Sequence, residues 1–132
     1  MHPAFVYSPS YDFILPDPGT GPDLGNLQLF DTCRASRAWK LAREQCPEIE
    51  ANLLAPRPIT DAELRLAHSE SYLENLTDSE AIAEVLGLPQ AAALPFEHLD
   101  AAIVQPQRLA AGGTLVALRA ALQCGVGINL SG

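Results

Sequence analysis

The chain has 132 residues, of which 48% are hydrophobic; this length allows one domain, and the composition excludes a disordered tail or a fibrous repeat. Sixteen Asp and Glu against eight Lys and Arg give a formal net charge of −8, so we expect no direct binding of nucleic acid through a basic face. Three widely spaced cysteines form neither a zinc knuckle nor a disulfide framework, which favours a reducing compartment. No secretory signal is visible, and no apolar run reaches the ~18 residues of a membrane span. We therefore expect a cytoplasmic protein without membrane contact.

The first half of the chain predicts a strand, a loop, a helix and a second strand. Residues 4–7 form an apolar run typical of a buried strand, and the Pro- and Gly-rich residues 16–25 predict a long loop. Residues 31–46 have helical periodicity, with Asp31 or Thr32 as candidate caps and Pro47 as the stop. Residues 51–55 predict a short strand. Basic residues recur every three positions along the helix: Arg34, Arg37, Lys40 and Arg43.

The second half predicts short capped helices, one long helix and a last strand. Capping boxes begin at Thr60 and Thr77, Ser69 is a further cap, and Gly87 ends the third helix. Residues 90–105 are less regular, so Glu97 and His98 are expected in a loop. A helix over 106–124 contains Gly112 and Gly113 in its middle, which predicts close backbone approach to a neighbour. An apolar strand follows at 126–130.

This order of elements predicts an α/β fold with a parallel sheet. The chain ends directly after its last predicted strand, at the carboxyl edge where open α/β sheets bind ligands. We therefore expect residues 1–132 to be an incomplete segment of a single α/β domain.

Motifs that would identify a chemistry directly are absent. The sequence contains no HExxH, GxSxG, P-loop or GxGxxG pattern, and its three histidines are scattered. A lone histidine such as His68 is more often a buried structural residue than a metal ligand. The residues alone therefore indicate an acidic α/β segment without an assigned reaction.

Five segments in order resemble the N-terminal part of histone deacetylases, most closely the class IV type and its bacterial relatives. No single segment is specific, but their order and spacing cover nearly the whole chain. The segments are residues 6–11 (VYSPSY), Phe30-Asp31 followed by Arg34, residues 59–76 (ITDAELRLAHSESYLENL), residues 112–114 (GGT) and residues 125–132 (GVGINLSG).

The resemblance implies an arginase-like α/β fold with a central parallel sheet, truncated before its second half. It also implies a zinc-dependent amide hydrolase whose substrate is an acylated lysine or polyamine. In the family, zinc polarises the acyl carbonyl and activates water, a histidine acts as general base and acid, and a tyrosine stabilises the oxyanion. The tandem histidines, the zinc ligands and that tyrosine would all follow Gly132. We therefore expect no catalytic residue, no metal ligand and no bound zinc in this chain.

A few positions match functional residues of the family. Arg34 resembles the arginine of an internal channel through which acetate leaves, Tyr7 resembles an aromatic residue lining it, and Gly132 a glycine at its mouth. Glu97 falls near a rim loop where some members hold the substrate backbone with an acid, although class IV members lack it. The family often has His-Pro-Phe-Asp before the helix, whereas this chain has Gln-Leu-Phe-Asp ending at Asp31.

Two alternatives to the deacetylase interpretation stay open. In the first, the chain is a non-catalytic remnant or binding module that self-associates through an exposed sheet edge. In the second, it is the N-terminal part of an acetylpolyamine-type amidohydrolase. A continuing reading frame with Gly, an aromatic residue, His-His and then Asp-x-His would favour the enzyme.

Overall fold

A computed structural model of the chain describes residues 3–13 and 32–131. The predicted loop at 16–25, Phe30, Asp31 and Gly132 lie outside the described residues. The described residues form two compact units. The first comprises residues 3–13, 32–59 and 106–131, and the second comprises residues 60–105.

The first unit contains a three-stranded parallel sheet of β1 (Ala4–Val6), β2 (Leu53–Leu54) and β3 (Gly127–Asn129). The strand order is β2-β1-β3, so β1 is central, and Val6 is completely buried. Its register pairs Val6 with Leu54 on one side and with Asn129 on the other. The prediction of an α/β fold with a parallel sheet is confirmed. The second strand is shorter than predicted because residues Pro47–Asn52 form a 3₁₀ helix.

Helix α1 (Arg34–Gln45) buries Ala35 and Trp39, and the Trp39 ring stacks on Tyr7, the residue after β1. It ends at Gln45, just before Pro47, as the sequence predicts. The predicted cap at Thr32 is wrong, because Cys33 is the N-cap residue and makes no side-chain capping hydrogen bond. Asp31, the other candidate cap, is outside the described residues.

Helix α6 (Gln105–Cys124) approaches its neighbours within the first unit through glycines. A Cβ atom on Gly112 would overlap the carbonyl oxygen of Arg57, and one on Gly113 would overlap the hydroxyl of Tyr11. The backbone N–H of Ile59 donates to the carbonyl of Arg108 at 2.9 Å, which fixes the segment after β2 against this helix. The predicted close approach at the two glycines is confirmed.

The second unit is a set of short helices: α2 (Asp61–Leu64), α3 (Glu70–Asn75), α4 (Ser79–Leu86) and α5 (Phe96–Leu99). Thr60 and Glu63 form the predicted capping box, and Ser69 caps α3 as predicted. At α4 the predicted capping box is displaced, because Asp78 rather than Thr77 accepts hydrogen bonds from the first-turn N–H groups. Gly87 ends α4 with φ 65°, a left-handed conformation that glycine adopts without strain.

The prediction of irregular structure over residues 90–105 is wrong. Pro89–Ala93 is a 3₁₀ helix, and α5 runs through a π-helical turn, Asp100–Val104, into α6. The widened turn ends two residues before Pro106, whose missing N–H and bulky ring disturb regular α-helical bonding in this region. This unit has its own apolar core, formed by Ile82, Ala83, Leu88, Ala91, Leu94, Leu99 and Ile103.

Candidate functional site

The candidate site lies at the carboxyl edge of the parallel sheet in the first unit. Because β1 and β3 are parallel, Tyr7 and Ser131, which follow them, lie at the same edge. The N–H of Leu130 donates to the carbonyl of Val6 at 3.0 Å, so the pairing of the two strands continues beyond β3. Helix α1 begins at this edge too, since Nη2 of Arg34 donates to the carbonyl oxygen of Ser131 at 3.2 Å.

Arg34 occupies a position that helix stability does not explain. It is the first residue of α1, where the helix dipole favours anions, and the first turn contains no acidic side chain. A cation there costs ~0.3–1 kcal/mol, so the helix dipole does not favour arginine at this position. The hydrogen bond to Ser131 is a contact of Arg34 outside its own helix. The inward orientation of the guanidinium toward a channel stays a prediction, because Arg34 is exposed among the described residues.

The contacts of Arg34 differ from those of Arg43, the last of the basic residues that recur along α1. Arg43 pairs with Glu50 at 2.7 Å, and its guanidinium lies 5.9 Å from the centroid of the Trp39 ring. Its contacts are therefore within the region of α1 and the following 3₁₀ helix. Arg34 instead reaches across 97 residues of sequence to the end of β3.

Tyr7 is half-buried and held by two kinds of contact. Its ring stacks on Trp39 with centroids 5.2 Å apart, and its hydroxyl is 3.1 Å from Oγ of Ser36. Ser36 Oγ donates to a carboxylate oxygen of Asp12, and the N–H of Ser36 donates to the other oxygen at 3.3 Å. Because the single hydroxyl proton of Ser36 is engaged by Asp12, the Tyr7 hydroxyl is the donor to Ser36. Sequence reasoning identified Tyr7 but missed Asp12 and Ser36.

Asn129 is a further polar residue at this edge that sequence reasoning missed. Its side-chain amide nitrogen lies 2.9 Å from the carbonyl of Ala110, 3.0 Å from Oγ1 of Thr114 and 2.7 Å from Oγ of Ser131. One signal was present in the sequence: Asn129 is the only amide in the otherwise apolar run at 126–130.

Tyr11 places a buried hydroxyl beside Asn129 and Gly113. Its side chain is 6% exposed, and the hydroxyl has no hydrogen-bond partner among the described residues. A Cβ atom on Gly113 would lie 3.0 Å from Oδ1 of Asn129 and would overlap the Tyr11 hydroxyl, so all three groups share one small volume. Burial raises the pKa of Tyr11 to about 12. The phenol is therefore neutral at physiological pH.

The other candidate residues do not join this group of contacts within the first unit. Glu97 is exposed in the first turn of α5, in the second unit, so its predicted place in a loop is wrong. Its substrate-rim role stays a prediction. Gly132 lies outside the described residues. His68 is exposed and stacks on Tyr72 with centroids 4.8 Å apart, so the expectation of a buried structural histidine is also wrong.

Charge differs in sign between the two units. The described residues of the first unit hold seven Lys and Arg against four Asp and Glu, whereas residues 60–105 hold one Arg against nine Asp and Glu. The unit that contains the candidate edge therefore has an excess of positive charge within an acidic chain. An excess of positive charge favours anions over cations near the first unit.

The described residues contain no group of three His, Cys, Asp or Glu side chains placed to hold a metal ion. The zinc that the resemblance implies is therefore not matched by a ligand set in residues 3–13 and 32–131. In the same residues, no helix is long and apolar enough to cross a membrane.

Comparison with curated proteins finds several matches, and one of them is a histone deacetylase. The chain is 26% identical to histone deacetylase 2 of Arabidopsis thaliana over 129 residues, which is 98% of this chain and 32% of that protein. The chain thus spans about a third of the length of this curated relative. No protein-family model matches the chain, and no solved structure matches it.

Proposed function

We propose that this chain is the N-terminal portion of a zinc-dependent deacetylase of the class IV or bacterial type, which hydrolyses the amide of acetyl-lysine. Its zinc ligands and catalytic base would lie outside these residues. The observation that carries the proposal is the similarity to a histone deacetylase over 98% of the chain. The α/β architecture and its small parallel sheet are consistent with that origin.

The reaction gives Arg34 a defined role in this proposal. Water adds to the acyl carbonyl, the C–N bond breaks, and the products are acetate and a protonated lysine amine. Acetate is an anion, and a guanidinium binds a carboxylate through charge-assisted hydrogen bonds. Arg34 lies at the carboxyl edge of the sheet, where ligands of open α/β folds bind, and its Nη2 is already directed at Ser131.

Tyr7 has a supporting role in the same proposal. Its ring is fixed by Trp39 on one face, and its hydroxyl is fixed by Ser36, which in turn is held by Asp12. A ring restrained at both ends keeps its position when a small product passes. We therefore assign Tyr7 to the wall of the acetate path.

The test is hydrolysis by the full-length product of the gene. We expect that protein to release acetate from an acetyl-lysine peptide, and a chelator to abolish the release. Residues 1–132 alone serve as the matched control, and we expect them to show neither turnover nor stoichiometric zinc. Absence of chelator-sensitive hydrolysis by the full-length protein would overturn the proposal in favour of a non-catalytic module. Hydrolysis of an acetylated polyamine but not of the peptide would overturn the assigned substrate.

A further inference from the structure

We infer that Asn129 is a positioning residue, which fixes the end of β3 and thereby presents the Ser131 carbonyl to Arg34. This inference rests on the proposed function, because it concerns the residue that we assign to acetate release. Asn129 lies in one of the segments that carry the resemblance, but the resemblance assigned no role to it.

The side chain of Asn129 is anchored on helix α6. Its side chain leaves the sheet and reaches the middle of α6, where its amide contacts the Ala110 carbonyl and the Thr114 hydroxyl. A carbonyl oxygen only accepts hydrogen bonds, so the group that faces Ala110 must be the NH₂ end of the amide. The orientation of the side chain is thus fixed by chemistry as well as by distance. Asn129 connects the last strand to the helix packed on it.

The same side chain also contacts Ser131, two residues further along the chain. Its NH₂ group is 2.7 Å from Oγ of Ser131, and its Oδ1 is 3.5 Å from the backbone nitrogen of the same residue. An Asn side chain that contacts the residue two positions later is a common way to fix a turn. Both the hydroxyl and the backbone of Ser131 are therefore restrained by one side chain.

Ser131 in turn accepts a hydrogen bond from Arg34. A single hydrogen bond at 3.2 Å joins the guanidinium to the Ser131 carbonyl, and Arg34 is exposed. A long exposed side chain loses rotamer entropy when it is held in one place, so a mobile acceptor would hold it poorly. Because Asn129 fixes the acceptor, the guanidinium has a preferred direction at the edge of the sheet.

Enzyme kinetics provide the first test, on the full-length gene product. The variants are Asn129→Ala, Arg34→Ala and the double variant, with Gln123→Ala on the exposed face of α6 as the matched control. If Asn129 acts through Arg34, the double variant has the kcat of Arg34→Ala, within about twofold, since residues that act as a unit are not additive. A purely structural role gives losses in kcat that multiply, and that result would overturn the inference.

A conservative substitution sharpens the kinetic test. Ser131→Ala removes the hydroxyl that Asn129 holds but keeps the carbonyl that Arg34 uses, so we expect a lower kcat. Ser131→Thr keeps the hydroxyl, so we expect it to restore the kcat of the wild type. Equal kcat values for both variants would contradict the restraint through Oγ.

NMR of the same proteins provides a measurement that does not need activity. We expect the ¹⁵N–H signals of the Arg34 guanidinium to move in Asn129→Ala and Ser131→Ala, and to stay in place in Gln123→Ala. Unmoved Arg34 signals in Asn129→Ala would overturn the inference. If the wild type hydrolyses nothing, the proposed function fails, and these signals still decide whether Asn129 positions Arg34.

Discussion

The hydroxyl of Tyr11 lies against the backbone of Gly113, in the volume that a Cβ atom on Gly113 would occupy. This contact joins the segment after β1 to the middle of α6. It explains why a helix keeps a glycine where alanine has the higher helix propensity by about 1 kcal/mol.

Gly113→Ala should therefore destabilise the chain, by roughly 1–3 kcal/mol for an overpacked site. The free energy of unfolding in urea measures the effect. Adding Tyr11→Phe removes the overlapping oxygen and should recover part of the loss, although Cζ of Tyr11 would still lie 3.1 Å from the new Cβ atom. A Gly113→Ala chain as stable as the wild type would refute this contact.

Tyr11→Phe alone should stabilise the chain by about 1 kcal/mol, because it removes a buried hydroxyl without a partner among the described residues. The pKa of Tyr11 is raised to about 12, so the unfolded chain loses its phenol proton first as the pH rises. Wild-type stability should therefore fall between about pH 10 and 12, and less so in Tyr11→Phe. Tyr72→Phe, which removes a phenol hydroxyl from an exposed ring, is the control variant.

Asp78→Ala should cost about 1 kcal/mol, because Asp78 accepts hydrogen bonds from the N–H groups of Glu80 and Ala81 at the start of α4. Thr77→Ala should cost less, since Thr77 makes one exposed bond to the carbonyl of Glu74. Thermal unfolding of both variants gives the comparison. A larger loss for Thr77→Ala would restore the capping box that the sequence predicts.

Arg34→Ala in the full-length gene product should lower kcat about tenfold, a loss of ~1.4 kcal/mol that is within the range of a charge-assisted hydrogen bond. Arg37→Ala, one turn further along α1, should keep kcat within about twofold. Both variants should change the free energy of unfolding by no more than ~0.5 kcal/mol, as exposed substitutions usually do. Equal turnover of the two variants would contradict the role of Arg34 in acetate release.

The 132-residue chain should self-associate through β2, whose outer edge pairs with no other strand among the described residues. Leu53 and Leu54 there are 38% and 36% exposed. Leu54→Lys should lower the mass measured by light scattering at high concentration. Leu66→Lys, at a leucine 87% exposed in the second unit, should leave it unchanged. A monomeric wild type at every concentration would refute the interface.

The sequence correctly predicted the elements that depend only on residues adjacent in the chain. The Thr60–Glu63 capping box, the stop at Gly87 and the apolar run of β1 depend on neighbours in sequence, and the structure has them where the sequence predicts them. Residues 96–104 were predicted wrongly because Pro95 and Pro106 suggest an interruption. Buried Leu99 and Ile103 instead hold the chain helical through a widened turn.

The candidate site was predictable only in part, since its contacts are distant in sequence. Arg34 and Tyr7 came from the resemblance to a family, and their functional roles stay predictions. Ser36 and Asp12 carry no pattern of their own, and Asn129 is marked only as the one amide in the apolar run at 126–130. Their importance follows from bonds that span between 15 and 29 residues, which no local periodicity reveals.

Trp39, whose ring stacks on Tyr7 and lies near the Arg43 guanidinium, is the one tryptophan of the 132 residues. Its fluorescence therefore reports on the first unit alone, while circular dichroism at 222 nm also records the helices of residues 60–105. Coincident denaturation curves from the two signals would mean that both units unfold in one cooperative step. Separated curves would mean that each unit has a stability of its own, and the natural chain can distinguish these cases without an added label.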